Sequence, residues 1–370
     1  MQTQITPILS ATKLLNAYKK WKQTHKDYYM RKYRLSRNLY KSKLYNSQKK
    51  KENALLLSNK SGLYLLVKNK LKSKHTIKTL ELTDNTLTSD RALIAEEFNK
   101  YFNSVYDTKN FENIDINIDQ HDKIIISRTQ CKSSVQLLRR SKGCGIDGIP
   151  ILFWTNTVEF INDHLSKLFT MFCNNRFIQE IWQINIIRPL YKRKGNTNTM
   201  KNYRPIWNLW TLLRVFEKSI FPILENATKS KFSNLQYGFT KSRSTINNLL
   251  DCYSYTYKRL DQKLPNNIIT VDFAKAFDKV NFKHLLEKCL NFGISYSMVG
   301  LLKCFLYNRK QIVIIEDNRS SELPITSGVP QGSSLSPILF KIYIDDLFKE
   351  TFNHKILGFV DDIKHSEILE

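Results

Sequence analysis

No stretch of this sequence is apolar for the roughly 18 residues that a membrane-crossing helix needs, which excludes a helical span. The opening, MQTQITPILSATKLL, has neither an early basic region nor an apolar run of secretory-signal length. The six cysteines, Cys131, Cys144, Cys173, Cys252, Cys289 and Cys304, form no CxxC pair, and no histidine stands at zinc-finger spacing. A zinc site or a disulfide framework is therefore not expected. These absences make a reducing compartment, nucleus or cytoplasm, the expected location. No internal repeat is visible. Acidic residues are nearly missing from the first fifth: residues 1–75 hold 19 Lys and Arg against 2 Asp and Glu, about +17 of the formal +25.

What is there is a chain of 370 residues, 42% hydrophobic, enough to bury a core and long enough for two or three subdomains. The basic region, which includes Lys19, Lys20, Lys22, Arg31, Lys32, Arg34 and Arg37, is interleaved with Tyr18, Trp21, Tyr28, Tyr29, Tyr33, Tyr40 and Tyr45. A plain solvated helix face would carry both signs of charge. Cations that meet phosphates, alternating with rings that stack on unpaired bases, point to nucleic acid. An anionic membrane surface ranks third.

Residues 11–57 are good helix formers and read as one or two long basic helices, followed by a joint over 58–76. SDRALIAEEFNKYFNSVY is a second helix, capped by Ser89 or Asp90, with Leu93, Phe98 and Phe102 on its apolar face. Asp107–Asp122 reads as a surface loop. Gly143, Gly145 and Gly148 in SKGCGIDGIP mark a loop with tight backbone demands. Helices are expected over Asn156–Phe177, Trp210–Leu224 and Val280–Phe292, and strands over Gln183–Leu190, Ile268–Phe273 and Gln311–Ile315. Four regions follow: a basic helical linker (1–75), a helical connector and loop (76–130), and two larger parts (131–265 and 266–370).

Two aspartate pairs compete for chemistry. Asp345–Asp346 lies in SPILFKIYIDDLFKE, where Ser336 caps and Pro337 opens a helix. Neighbours on a helix diverge by about 100 degrees, so this pair cannot aim at one ion and is structural or solvent-facing. Asp361–Asp362 follows the strand-like run ILGFV and falls at the tip of a hairpin. Upstream, ITVDFAKAFDKV ends an apolar strand on Asp272. Carboxylates from two strands converging on one point suit two hard cations.

The blocks SKGCGIDGIP, NYRPIWNLWTLLRVFEKSI, LQYGFTKSRSTINNLL, VDFAKAFDKV, SGVPQGSSLSPILFKIYIDDL and FVDD resemble, in order and spacing, reverse transcriptases of non-LTR (LINE-type) retrotransposons. The resemblance covers about Ser133 to Asp362. It implies an α+β right-hand polymerase: fingers within 131–265, and a palm within 266–370 built on an antiparallel sheet with helices. It implies an RNA template, a DNA primer or target, dNTPs, and two Mg²⁺ ions, with Mn²⁺ as substitute. Asp272, Asp361 and Asp362 would be the acidic triad, and the Phe273 carbonyl a further metal ligand. Phe277 matches the residue that abuts the sugar 2′ position, unless it is ordinary core. Gln331 matches a residue that contacts the incoming nucleotide, with Gly328 and Gly332 allowing close approach. Arg204, with Arg188 and Lys192, fits a triphosphate or template cluster, although the last two also fit plain surface charge. YIDDL matches the helix after PQGS…SP, and FVDD the catalytic block, where Val360 replaces a smaller residue and would crowd the hairpin.

The chain ends eight residues after Asp362. A thumb is therefore expected to be absent and the fragment to polymerise poorly. Two readings stay open: an RNA-directed DNA polymerase, and an inactive RNA-binding relic of such an element. A group II intron maturase or an RNA-directed RNA polymerase is the nearest enzymatic rival.

Overall fold

The structure, a computed structural model, describes residues 18–57, 77–82, 84–107, 122–138, 145–264, 267–349 and 355–367. The joint at 58–76, the interior of the acidic segment (108–121) and Gly143 lie outside the described residues. The chain forms two compact units, 1–76 and 77–370.

In the first unit residues 18–24 are helical. His25, with φ +49, breaks the helix, and α1 then runs over Asp27–Leu57. Lys19, Lys20, Lys22, Arg31, Lys32, Arg34 and Arg37 are all exposed. The aromatics divide. Tyr18 packs against Trp21 and Tyr33, with centroids 5.8 and 5.3 Å away, whereas Tyr28 and Tyr45 stand more than 60% exposed.

The second unit opens with a small ribbon, β1 (Leu80–Glu81) and β2 (Leu87–Thr88), and then α2 (Arg91–Asn103). Asp90 is the cap: its side chain accepts from the Ala92 N–H. The buried stripe of α2 is Ile94, Phe98 and Phe102, at i, i+4 spacing, while Leu93, expected on that face, is 38% exposed. One residue is about 100 degrees of helix, enough to turn Leu93 out of the core.

Helices α3 (Arg128–Leu138) and α4 (Ile151–Asn174) come next. The second starts five residues before Asn156, because Pro150, at φ −62 and ψ 140, already occupies the cap position. Strands β3 (Ile184–Tyr191) and β4 (Tyr203–Asn208) form an antiparallel ribbon, followed by α5 (Thr211–Thr228) and α6 (Thr245–Asp261). Asp147 secures the start of α5, accepting from the Thr211 N–H at 2.9 Å and its hydroxyl at 3.0 Å. Gly145 must lack a side chain there, since a Cβ would stand 2.6 Å from Thr211 Oγ1.

The remainder is β5 (Asn267–Asp272), α7 (Phe282–Asn291), α8 (Tyr296–Leu306), β6 (Lys310–Ile315), β7 (Asn318–Arg319), β8 (Leu323–Pro324), α9 (Ser336–Ile344), β9 (Lys355–Phe359) and β10 (Asp362–Glu367). Leu335, not Ser336, holds the cap position of α9. The Ser336 hydroxyl instead donates to the Pro330 carbonyl, tying the helix to the loop before it.

The unit is mixed α and β with two main sheets. One has the order β4-β3-β6-β7, with β8 also on β6; the other is the antiparallel sheet β5-β10-β9. The first contains one parallel pair, β3 with β6. The principal core gathers buried residues of α3, α4, α5, α7, α8 and α9, among them Phe169, Phe216, Leu285 and Leu339. A second core sets Phe98 of α2 against Ile187, Trp207 and Val313 of the larger sheet. Helix α6 buries Asn248 and Cys252, and leaves Ile246, Leu250, Tyr253, Tyr257 and Leu260 exposed in a continuous stripe.

Candidate active site

Strand β10 lies between β5 and β9, and the register sets Asp362 directly opposite Asp272. Residues directly opposite in an antiparallel pair project from the same face, so these two carboxylates share it. Phe359 also pairs with Asp362, which leaves Val360 and Asp361 as a two-residue hairpin connection. Val360 has φ +63 and Asp361 has no positive φ, so the connection is not the type I′ turn, which needs a positive φ at both residues. A β-branched residue in that region is strained by about 1–2 kcal/mol.

The neighbouring chain accommodates this strain. Residues 235–238 run beside β9, with the Gly358 N–H donating to the Leu235 carbonyl at 2.9 Å and the Tyr237 N–H to the Gly358 carbonyl at 2.8 Å. Gln236, 2% exposed, reaches the turn: its Oε1 accepts from the Val360 N–H at 3.1 Å and its Nε2 donates to the Val360 carbonyl at 3.1 Å. Gly238 gives Val360 room; a Cβ there would meet the Val360 nitrogen at 2.4 Å and Cγ2 at 2.6 Å.

Asp272 and Asp362 are exposed and Asp361 is half-buried. All three are hard oxygen donors, the type that Mg²⁺ takes. Among the described residues no three carboxylate, imidazole or thiolate groups are gathered tightly enough to hold an ion. The donor set fits the cation in kind, as two cross-strand carboxylates with a third at the adjoining tip. Phe273 follows Asp272 and is 40% exposed.

The other aspartate pair sits in the 3₁₀ turn Asp345–Phe348 that ends α9. Asp345 is buried, accepts from the Ser233 N–H at 2.9 Å and pairs with Lys349 at 2.6 Å. Asp346 pairs with Lys288 at 2.7 Å. Both have structural partners.

Phe277 stacks on Phe340 of α9 at 4.3 Å and 18°, and meets the exposed Phe239 edge-on at 6.3 Å. It is thus both packed and half-open. Gln331 is half-buried, and its Nε2 donates to Asp278 Oδ1 at 2.7 Å. Gly328, at φ +86, allows its loop to touch Asp278, whose carbonyl would be 2.6 Å from a Cβ. Gly332, at φ +91, has only the Trp207 carbonyl nearby, 4.0 Å from a Cβ position.

On the β3–β4 ribbon Leu190 pairs with Arg204 and Arg188 with Ile206, so both arginines lie on one exposed face. Lys192 donates to the Lys201 carbonyl at 2.6 Å. Its ammonium pKa is lowered by partial desolvation first, then by the positive charges of Lys275 and Arg204. Lys275, just past Asp272, is not among the residues expected from sequence.

Three further residues are not expected from sequence either. Gln236 lies in the LQYGF block with no role assigned to it. Asp278 closes the AFD triplet, where an acid six residues from Asp272 is the available signal. Glu217 on α5 is fully buried; one oxygen accepts from the Ser334 N–H at 2.7 Å, the other has no partner, and burial pushes its carboxyl up to about 7.

Comparison with known proteins matches residues 192–365 to the family described as reverse transcriptase (RNA-dependent DNA polymerase). A probable RNA-directed DNA polymerase from transposon BS of Drosophila melanogaster is 26% identical over 187 residues, covering 50% of this chain and 20% of the relative. The RNA-directed DNA polymerase from mobile element jockey of the same species is 24% identical, over 60% of this chain and 24% of the relative. A retrovirus-related Pol polyprotein from type-1 retrotransposable element R2 of Popillia japonica is 26% identical, over 43% and 22%. The chain thus spans about a fifth of the length of the first of these relatives. Among solved structures, apo telomerase from Candida tropicalis, truncated from its C-terminal domain, aligns with a TM-score of 0.39 and 14% identity over 51% of this chain and 44% of that one. Six ordered sequence blocks and an aspartate-tipped hairpin paired with a third aspartate accompany these matches: residues 192–365 are similar to the reverse transcriptase family, and the chain is similar to proteins of transposable elements.

Proposed function

We propose that this chain is the polymerising part of an RNA-directed DNA polymerase that adds dNTPs to a primer 3′-hydroxyl on an RNA template. The observation that carries the reading is the register that sets Asp362 opposite Asp272 with Asp361 at the adjoining turn. The β5-β10-β9 sheet serves as palm and the β3–β4 ribbon as fingers. Asp272, Asp361, Asp362 and the Phe273 carbonyl would hold the cations. Two Mg²⁺ or Mn²⁺ ions supply, when bound by such donors, activation of the primer hydroxyl and stabilisation of the leaving pyrophosphate. Phe277 limits the space beside the sugar and so selects deoxynucleotides. Arg204, Arg188 and Lys192 meet phosphate oxygens, the guanidinium by paired hydrogen bonds. The basic first unit holds RNA by charge.

The test is incorporation of dTTP on poly(rA)·oligo(dT) with Mg²⁺ by the full chain, compared with Asp361→Asn. Incorporation that disappears in the variant, at equal RNA binding, supports the reading. RNA binding without any incorporation replaces it with the other reading, an RNA-binding relic of such an element.

A further inference from the structure

Asp278 is 6% exposed and holds the 327–331 segment with both its backbone and its side chain. Its carbonyl accepts from the Ser327 hydroxyl at 2.7 Å, and that hydroxyl in turn accepts from the Asp107 N–H at 2.9 Å. On either side of Asp278, the Val329 N–H donates to the Phe277 carbonyl at 2.9 Å, and the Gly328 N–H to the Val280 carbonyl at 2.8 Å. Buried Arg309 donates to the Gly328 carbonyl from behind. The loop therefore has a fixed floor, and Gln331 is the residue that leans from it onto the Asp278 carboxylate, at 2.7 Å.

A glutamine side chain is ambiguous, because its oxygen accepts while its nitrogen donates, and only the surroundings choose which end points where. An ionised carboxylate has no hydrogen to give, so only the NH₂ end of Gln331 can face it. The carbonyl oxygen is then turned away from Asp278. Burial raises the Asp278 carboxyl pKa, while the Gln331 hydrogen bond and the positive charges of Lys275 and Arg309 favour the ionised form that makes this choice.

We propose that Asp278 is a positioning residue for the incoming nucleotide: by engaging the amide nitrogen of Gln331 it fixes that side chain with its oxygen as the outward group, which recognises a hydrogen-bond donor on the nucleotide. This rests on the polymerase reading, and it adds a residue whose effect passes entirely through another. Asp278 touches no substrate. Its removal leaves the amide free to turn and present either end.

Three variants and two measurements test the idea. Asp278→Ala removes the acceptor, Asp278→Asn keeps one oxygen that can accept, and Gln331→Met removes the amide while keeping its length. With dTTP on poly(rA)·oligo(dT), Asp278→Ala should raise the KM for dTTP roughly tenfold, the scale of one charge-assisted hydrogen bond. Its affinity for the primer–template should stay within about twofold, and Asp278→Asn should recover most of the loss. In the Gln331→Met background, Asp278→Ala should have no further effect on KM. An equal KM increase in both backgrounds overturns the proposal, because Asp278 would then act without Gln331. The second measurement needs no activity. In chain labelled with ¹⁵N-glutamine, the side-chain NH₂ signal that Gln331→Met deletes should shift in Asp278→Ala. A signal that stays in place overturns the proposal whether or not the chain incorporates nucleotides, whereas a shifted signal in a chain without incorporation leaves the Asp278–Gln331 hydrogen bond standing and removes the polymerase reading.

Discussion

Gln236 holds Val360 by both backbone atoms, accepting from its N–H and donating to its carbonyl, each at 3.1 Å. The residue after Val360 is Asp361, so the side chain that grips the turn also sets the position of the hairpin-tip carboxylate. Phosphoryl transfer is sensitive to misplacement by about 1 Å, at about a hundredfold in rate. Gln236→Leu should therefore lower kcat by about ten- to a hundredfold with a small change in KM. It should also cost about 1–3 kcal/mol, since both Val360 groups lose their partner. Primer extension beside urea unfolding checks both.

Asp345 and Asp361 should separate cleanly. Asp361→Asn should abolish incorporation and leave unfolding nearly unchanged. Asp345→Ala should destabilise by about 1–3 kcal/mol, because the Ser233 N–H loses its acceptor while the half-exposed Lys349 turns to solvent, yet retain incorporation per folded molecule. Circular-dichroism melts with an active-site titration distinguish the two, and the reverse ranking would reject the assignment of the pairs.

Glu217 predicts a pH dependence of stability. Its carboxyl is pushed up to about 7 by burial, against 4.5 in the unfolded chain. Between those values the folded chain keeps a proton that the unfolded chain has released, so this group's stabilising contribution is complete below about 4.5 and is lost as pH rises through about 7. The loss is on the order of 3 kcal/mol. Glu217→Gln keeps an acceptor for the Ser334 N–H without the buried charge. It should be more stable than wild type at pH 8 and similar at pH 5, as urea midpoints at the two pH values will show.

Phe277 is stacked on Phe340 and only partly buried, so truncation should have two consequences. Phe277→Val should admit ribonucleotides, measured as the ratio of rTTP to dTTP incorporation. It should also cost about 1–3 kcal/mol through the missing ring stack and the cavity. An unchanged ratio with the same destabilisation would make the ring a core residue only.

Replacing Lys19, Lys20, Lys22, Arg31, Lys32, Arg34 and Arg37 by Gln should weaken RNA binding. For every phosphate that no longer meets a cation, the dependence on log salt should flatten by about 0.7 for a single strand. Filter binding between low and high salt gives the slope; an unchanged slope would show that these exposed cations do not hold the RNA.

How much of this is legible in the sequence differs by element. The hairpin and the strand ending on Asp272 are readable, because a short apolar run closed by polar residues has few alternatives. The cap of α2 is readable to one of two residues, Ser89 or Asp90, and Phe98 and Phe102 of its buried face are readable too, but Ile94 takes the place expected of Leu93, because one residue turns a side chain by about 100 degrees. The start of α4 is obscured because polar Asn156 looks like a beginning, while Pro150 sets the boundary. Gln236, Asp278, Glu217 and Lys275 are hidden for another reason. Each acts on a partner 50 or more residues away or on charges brought in by the fold, and no local pattern records such a pairing.

The close approach of Gly238 to Val360 makes the two positions unequal under mutation. Shrinking Val360 would clear its Cγ2, 2.6 Å from where a Cβ on residue 238 would stand. The Val360 backbone nitrogen would remain at 2.4 Å, and no change of side chain at 360 can remove it. A saturation library should therefore tolerate several residues at 360 and only glycine at 238, with no second substitution at 360 rescuing Gly238→Ala. Such one-way dependence makes 238 a fixed point around which the aspartate-bearing turn can vary.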